Sequence, residues 1–166
     1  MQEQVILVNE QDEQIGLMDK MEAHEKGLLH RAFSVFIFNA QDELLLQQRA
    51  LHKYHSAGLW TNTCCSHPRE GETNLAAAQR RLKEEMGFET ELNLLDSFIY
   101  KAKFDNSLTE HEFDYIFTGR YENNPRINAD EVAAFKWVDL DSLKLDIAKH
   151  PEQYTVWFKI ALERFF

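Results

Sequence analysis

The chain reads as a single mixed α/β domain, and three observations predict it. At 166 residues it is long enough to bury one core without disulfide or metal staples. Its first two thirds carry mostly strand patterns, including the nearly continuous apolar run Phe33-Ser34-Val35-Phe36-Ile37-Phe38. One strong helix interrupts them at residues 73–86, and two further helical stretches close the chain. A hydrophobic content of 44%, with 12 Phe, 5 Tyr and 3 Trp, argues for a packed core and against disorder. No repeat, low-complexity tract or linker divides it.

In order, residues 5–9 and 15–18 pattern as short strands around the turn-like Glu10-Gln11-Asp12-Glu13. Residues 19–27 are polar with helical character and contribute His24. The segment 28–39 suits a central strand buried on both faces, and 44–49 follows across Ala40-Gln41-Asp42-Glu43 as its hairpin partner. Residues 50–58 form a loop with His52, Lys53, Tyr54 and His55. A β-favouring approach through Leu59, Trp60, Thr61 and Thr63 then runs to a stop at Pro68. The helix at 73–86 has a capping candidate within Gly71-Glu72-Thr73-Asn74 and high propensity in Ala76-Ala77-Ala78. Its apolar stripe is Leu75, Ala78, Leu82 and Met86, its stop is Gly87, and Arg81 and Glu85 share a face four residues apart. Strands follow at 94–104 and 112–121, joined by a polar loop; Asn123-Asn124-Pro125 breaks the pattern, and 133–138 is a further short strand. Residues 139–149 and 152–166 read as helices, the last with Pro151 near its first turn.

The formal charge of −10 leaves no basic surplus to neutralise phosphates, which argues against a nucleic-acid partner. A small anion needs only a few local cations and stays open. No basic N-terminal region precedes an apolar segment, and no apolar run approaches the ~18 residues of a membrane span. The only two cysteines, Cys64 and Cys65, are adjacent, so a disulfide framework is impossible and a vicinal bridge would be strained; the reducing cytoplasm is the expected compartment.

Reactive residue types concentrate in Trp60-Thr61-Asn62-Thr63-Cys64-Cys65-Ser66-His67-Pro68, where a strand ends just before the strong helix. Taken alone, a cysteine pair reads best as buried packing. In Glu110-His111-Glu112, period-two alternation puts both carboxylates on one strand face, where they repel unless a cation or proton relieves them; a solvated loop edge is the competing reading. With His24, His30 and His67 they form a nitrogen/oxygen set suited to a divalent metal, although no local spacing sets their convergence. Arg49, Lys53 and Arg81 would make an anion clamp if gathered, and surface charges if not. No Cys-x-x-Cys pair, nucleophile elbow or glycine-rich phosphate loop is present.

Glu72 followed by Arg80-Arg81-Leu82-Lys83-Glu84-Glu85-Met86-Gly87-Phe88 resembles the signature helix of the Nudix superfamily. That box reads Gly-x5-Glu-x7-Arg-Glu-apolar-x-Glu-Glu-x-Gly-apolar. Here Ser66 stands in the place of the opening Gly, and Arg81 in the place of the Glu that serves metal-dependent hydrolysis. Thr61 to Pro68, with Tyr100 and Glu110-His111-Glu112, is similar to the type 1 isopentenyl-diphosphate δ-isomerase branch, and the likeness runs from Val5 to Trp157.

The resemblance implies a Nudix-like α/β/α sandwich with a mixed β-sheet, a central box helix and C-terminal helices. It implies an isomerase that moves the double bond between isopentenyl and dimethylallyl diphosphate, by adding one proton and removing another through a tertiary carbocation. Cys65 and Glu112 would be the proton-transfer pair, with Tyr100 hydrogen-bonded near Glu112. A divalent metal (Mn²⁺, Zn²⁺ or Mg²⁺) would sit on His24, His30, His67, Glu110 and Glu112. Glu85 would serve Mg²⁺ arriving with the diphosphate, and Arg49, Lys53 and Arg81 would bind that diphosphate. Trp157 would lie over the hydrocarbon end, where an indole face can stabilise a cation, and Trp60 is a weaker candidate for the same wall. From spacing alone, Trp157 reads as core packing. The implied working form is a monomer or weak homodimer, with a small isoprenyl diphosphate as partner and neither nucleic acid nor membrane. Two other readings compete: a Nudix hydrolase using Glu84 and Glu85, and a catalytically silent Nudix-like binding module.

Overall fold

Strand β3 (His30–Phe38) organises the sheet, because its residues are buried on both faces. In this computed structural model, which describes residues 3–53, 55–104 and 106–166, Phe33, Val35 and Ile37 point into one core and Phe36 into another. Tyr54, expected in a loop, lies outside the described residues. Before β3 come β1 (Gln4–Val8), β2 (Gln14–Asp19) and α1 (Lys20–Lys26). After it come β4 (Glu43–Arg49), β5 (Trp60–Thr61), β6 (Cys64–Ser66) and α2 (Asn74–Met86). The chain ends with β7 (Leu92–Lys103), β8 (Thr109–Arg120), β9 (Val132–Asp139), α3 (Leu140–Lys149) and α4 (Val156–Phe165). The nine strands among the described residues join one mixed sheet: β3 runs parallel to β8 and antiparallel to β1, β4 and β6. Helix α2 covers one face and α4 the other, which makes the α/β/α layering.

The expected β3–β4 hairpin exists only at its turn, where Phe38 pairs with Leu44. Beyond that the strands splay, and β4 pairs along its length with β9, from Glu43 opposite Asp139 to Arg49 opposite Val132. The gap is filled by residues 60–66, and this is why the single strand expected there is two. Strand β5 pairs with β4, whereas β6 pairs with β3. Between them, side chains substitute for the missing ladder. Thr63 Oγ1 donates to the Leu45 carbonyl (2.7 Å) and accepts from the Ile37 amide (3.0 Å), and Asn62 Nδ2 donates to the Val35 carbonyl (3.1 Å). All five residues are buried, so losing the Thr63 or the Asn62 side chain would strand a backbone partner.

Helix α2 begins at Thr73, whose Oγ1 accepts from the Ala76 amide at 3.1 Å. It ends at Gly87, where φ is +74° and a β-carbon would fall 2.4 Å from the Arg126 carbonyl oxygen, so only glycine fits. The buried arc takes in Ala77, Ala78, Leu82, Glu85 and Met86. Leu75, expected in the apolar stripe, is 41% exposed, because the arc turns towards Ala77 and Glu85 and leaves the first turn at its rim. The helix expected at 152–166 is also shorter. A 3₁₀ turn at Pro151–Gln153 gives way to extended Tyr154 and Thr155, and the helix starts at Val156. Thr155 is held there by β5: its amide donates to the Trp60 carbonyl (3.0 Å) and its hydroxyl to Thr61 Oγ1 (2.9 Å). That anchor sets Trp157 over β6. Among the described residues, no helix is long and apolar enough to cross a membrane.

Candidate active site

Strand register brings the chemistry together. β3 and β8 place His30 directly opposite Glu112, while β7 and β8 place Tyr100 opposite Glu112 and Ala102 opposite Glu110. His24 reaches in from α1, and His67 follows β6 just before Pro68. The ligand atoms of His24, His30, His67 and Glu112 all lie within 4.8 Å of one another, and all four residues are buried. Glu110 stands beside this group, its carboxylate 3.9 Å from His24 Nε2. Tyr100 donates to Glu112 Oε1 at 2.6 Å and is also in hydrogen-bond contact with Glu110.

The donor chemistry fits a divalent cation. His30 Nδ1 lies 2.9 Å from the Leu28 carbonyl oxygen, which only accepts, so the proton of a neutral ring is on Nδ1. Its Nε2 lone pair then faces Glu112 Oε2 at 3.2 Å, acceptor against acceptor. His67 Nε2 converges on the same oxygen at 2.8 Å. Only a cation or an additional proton resolves that arrangement, and three imidazoles with one carboxylate are a usual first-row metal set.

Burial governs the titration of these groups. It lowers His24 to about 3, aided by His67 and His30, and leaves a neutral ring ready to ligate. It lowers His67 as well, against the pull of Glu112. Burial alone would raise Glu112, but His30 and His67, when they carry the additional proton, outweigh it and hold this carboxyl well below its ordinary range. Glu110 is instead pushed up by burial and by the charge of Glu112. Tyr100 is pushed up by burial and both carboxylates, so its phenol keeps the proton.

A cleft of about 350 Å³ opens from this group, small for a ligand pocket. Cys65 lines it, with the Trp157 indole N–H donating to its Sγ at 3.1 Å. Burial pushes the Cys65 thiol up, against the opposing pull of Arg49, with Glu85, Glu110 and Glu112 adding to the rise. Cys64 points the opposite way, fully buried in the α2-side core, as expected, with its thiol 3.4 Å from Glu85 Oε2. Arg49, Lys53 and Arg81 line the same cleft. Arg81 pairs with Glu84 (2.8 Å), Glu85 (2.9 Å) and Glu131 (3.4 Å), and Lys53 pairs with Glu131. The Arg49 guanidinium lies 5.2 Å from the centre of the Trp157 ring, and its buried Nε has no hydrogen-bond partner among the described residues.

Apart from the weaker candidate Trp60, the residues that the isomerase resemblance implies converge here; Tyr100 and His30 stand behind the wall and reach it through Glu112. Trp60 does not: it packs in the α4-side core under the Lys136 ammonium and stays out of the cleft. Glu84 is exposed on the outer face of α2. Lys20, Gln47, His55 and Glu131 are among the lining residues to which the sequence assigned no role. Two had a usable signal. Gln47 is a polar residue within the apolar β4, and Lys20 precedes His24 by one helical turn.

A NUDIX domain model matches residues 28–158. The chain is 51% identical over 164 residues to isopentenyl-diphosphate Δ-isomerase 2 of Aromatoleum aromaticum, covering 99% of this chain and 87% of the relative. It is 54% identical over 159 residues to isopentenyl-diphosphate Δ-isomerase 2 of Photorhabdus laumondii, covering 96% and 90%. The chain belongs to the isopentenyl-diphosphate δ-isomerase family. The isomerase fold also superposes on a crystal structure of a Deinococcus radiodurans protein with a TM-score of 0.83, at 23% identity and 99% coverage of both chains. A MutT protein from Methanosarcina mazei gives 0.68 at 19% identity, covering 82% of the isomerase and 92% of that chain. At such identities these two structures speak for the fold alone.

Proposed function

We propose that this isomerase interconverts isopentenyl diphosphate and dimethylallyl diphosphate, feeding isoprenoid biosynthesis, with Cys65 and Glu112 as the pair that moves the proton. The observation that carries the reading is the lining of the cleft. A thiol, carboxylates, an indole and the three cations Arg49, Lys53 and Arg81 all line one cleft, with Arg49 5.2 Å from the centre of the indole ring. In one direction a proton is added to the terminal alkene carbon, the tertiary cation forms next to it, and the neighbouring methylene loses a proton; the pair exchanges roles in reverse. Tyr100 positions Glu112 by hydrogen-bonding its Oε1. Trp157 borders the cation and fixes the Cys65 sulfur through its N–H.

Arg49, Lys53 and Arg81 take the diphosphate, which replaces Glu131 as partner of the last two. Arg81 thus turns the hydrolytic carboxylate position of the Nudix box into an anion-binding one. His24, His30, His67, Glu110 and Glu112 would hold a divalent metal (Mn²⁺, Zn²⁺ or Mg²⁺) that fixes the Glu112 carboxyl and tunes its acidity, and Glu85 would serve Mg²⁺ carried with the diphosphate. All of these groups come from one chain, so a monomer or weak homodimer in the cytoplasm suffices. The test is incubation of pure protein with isopentenyl diphosphate and Mg²⁺. Dimethylallyl diphosphate without free phosphate is the expected result. Phosphate without isomer would make the protein a hydrolase, and neither product would make it a silent binding module.

A further inference from the structure

Two aromatic side chains outside this assignment meet beside Trp157: His55 lines the cleft, and Phe104 packs against both rings. His55, from the loop after β4, stacks on Phe104, from the turn after β7, with ring centres 4.9 Å apart and planes 10° apart. Both rings meet Trp157 edge-on, at 5.7 Å and 85° for His55 and 6.3 Å and 88° for Phe104. His55 also lies edge-on to His24 at 5.7 Å, so it stands between the metal-type cluster and the indole. Each loop is braced. The Phe104 amide donates to the Leu108 carbonyl (2.8 Å), and Arg49 Nη2 donates to the His55 carbonyl (3.3 Å). Two loops from distant parts of the chain are thus joined at the Trp157 ring.

We propose that His55 and Phe104 form an aromatic clasp that keeps water from the carbocation, and so decide which product it gives. This rests on the isomerase reading. A tertiary cation has two exits. Loss of a proton from the adjacent methylene gives dimethylallyl diphosphate. Attack by water forms a carbon–oxygen bond, and loss of one proton from that oxygen to solvent leaves 3-hydroxy-3-methylbutyl diphosphate, with no redox change and the diphosphate retained. The clasp closes the second exit by occupying the space from which water would approach.

The experiment follows both products from isopentenyl diphosphate in ¹⁸O-water, using wild type, His55→Ala, Phe104→Ala and His55→Phe, with melting temperature and metal content checked for each. The two alanine variants are expected to raise the ¹⁸O-labelled tertiary alcohol roughly tenfold as a fraction of product, a factor within reach of one aromatic pair. His55→Phe keeps the stack and is expected to hold the wild-type fraction. If Phe104→Ala does not fold, Phe104→Leu keeps most of the volume without the stack and takes its place. An unchanged alcohol fraction in the alanine variants overturns the clasp, whatever their isomerase rates. A His55→Phe protein as leaky as His55→Ala overturns it too. Wild type that makes no dimethylallyl diphosphate overturns the isomerase reading, and the clasp with it.

Discussion

Replacing Trp157 with Phe separates the two tasks assigned to the indole. The residue is buried on α4, and its Nε1–H donates to Cys65 Sγ at 3.1 Å, which a phenyl ring cannot do. A net hydrogen bond is worth about 0.5–1.5 kcal/mol. The indole face is also the best of the aromatic surfaces for a cation, and weakening it costs about 0.5–2 kcal/mol in a dry site. Together these amount to about 1–3.5 kcal/mol of transition-state stabilisation, or roughly 5- to 400-fold in kcat. Because the cation exists only in transit, the loss belongs in kcat. KM should rise modestly, through the Arg49 guanidinium that rests 5.2 Å from the ring centre. Steady-state kinetics with isopentenyl diphosphate, beside a melting curve to confirm the fold, reads both constants. A kcat within about twofold of wild type would refute the role of the indole.

Three further outcomes follow from the same geometry. Arg81→Glu places a new carboxylate among Glu84, Glu85 and Glu131, and should raise KM for the diphosphate by at least about 30-fold, the factor for about 2 kcal/mol of lost charge pairing; an unchanged KM would remove Arg81 from the anion clamp. Dialysis against a strong chelator should abolish turnover and lower the melting temperature, with both restored by a divalent cation, since without one His30 Nε2 and Glu112 Oε2 face each other as acceptors. Activity persisting in protein shown by elemental analysis to be metal-free would contradict this. His55, held at about 3 in the fold against 6.5 when free, binds fewer protons folded than unfolded, so its contribution to stability is full above about 6.5 and is lost as pH falls towards 3. In urea titrations across that window, His55→Phe should therefore gain on wild type as the pH drops. A constant gap would contradict the buried neutral ring.

Much of the fold was legible because single-chain periodicity carries it. The both-faces burial of β3 followed from its unbroken apolar run, and the limits of α2 from Thr73 and Gly87. What the sequence hid are choices made between distant segments. Nothing local says that Asn62 and Thr63 will complete the ladders of two splayed strands, or that Thr155 will stay extended to bond with Trp60 and Thr61. The same division holds at the site. Glu110 and Glu112 share a face by alternation, but that His30 lies opposite Glu112 is a matter of β3–β8 register. Trp60, the weaker candidate for the wall, is turned by β5 into the α4-side core. His55 and Glu131 carry no periodic signal and act only through loops that fold over the cleft.

The choice of Cys65 over its neighbour is tested most directly by turnover in D₂O. Wild type should convert isopentenyl diphosphate with deuterium appearing in the newly formed methyl group of dimethylallyl diphosphate. Cys64→Ala, which removes only a buried thiol of the α2-side core, should retain most of that activity. Cys65→Ala should incorporate none, with its metal content and melting behaviour intact. A Cys65→Ala protein that still labels the product, or equal losses from both variants, would contradict the assignment of proton transfer to Cys65.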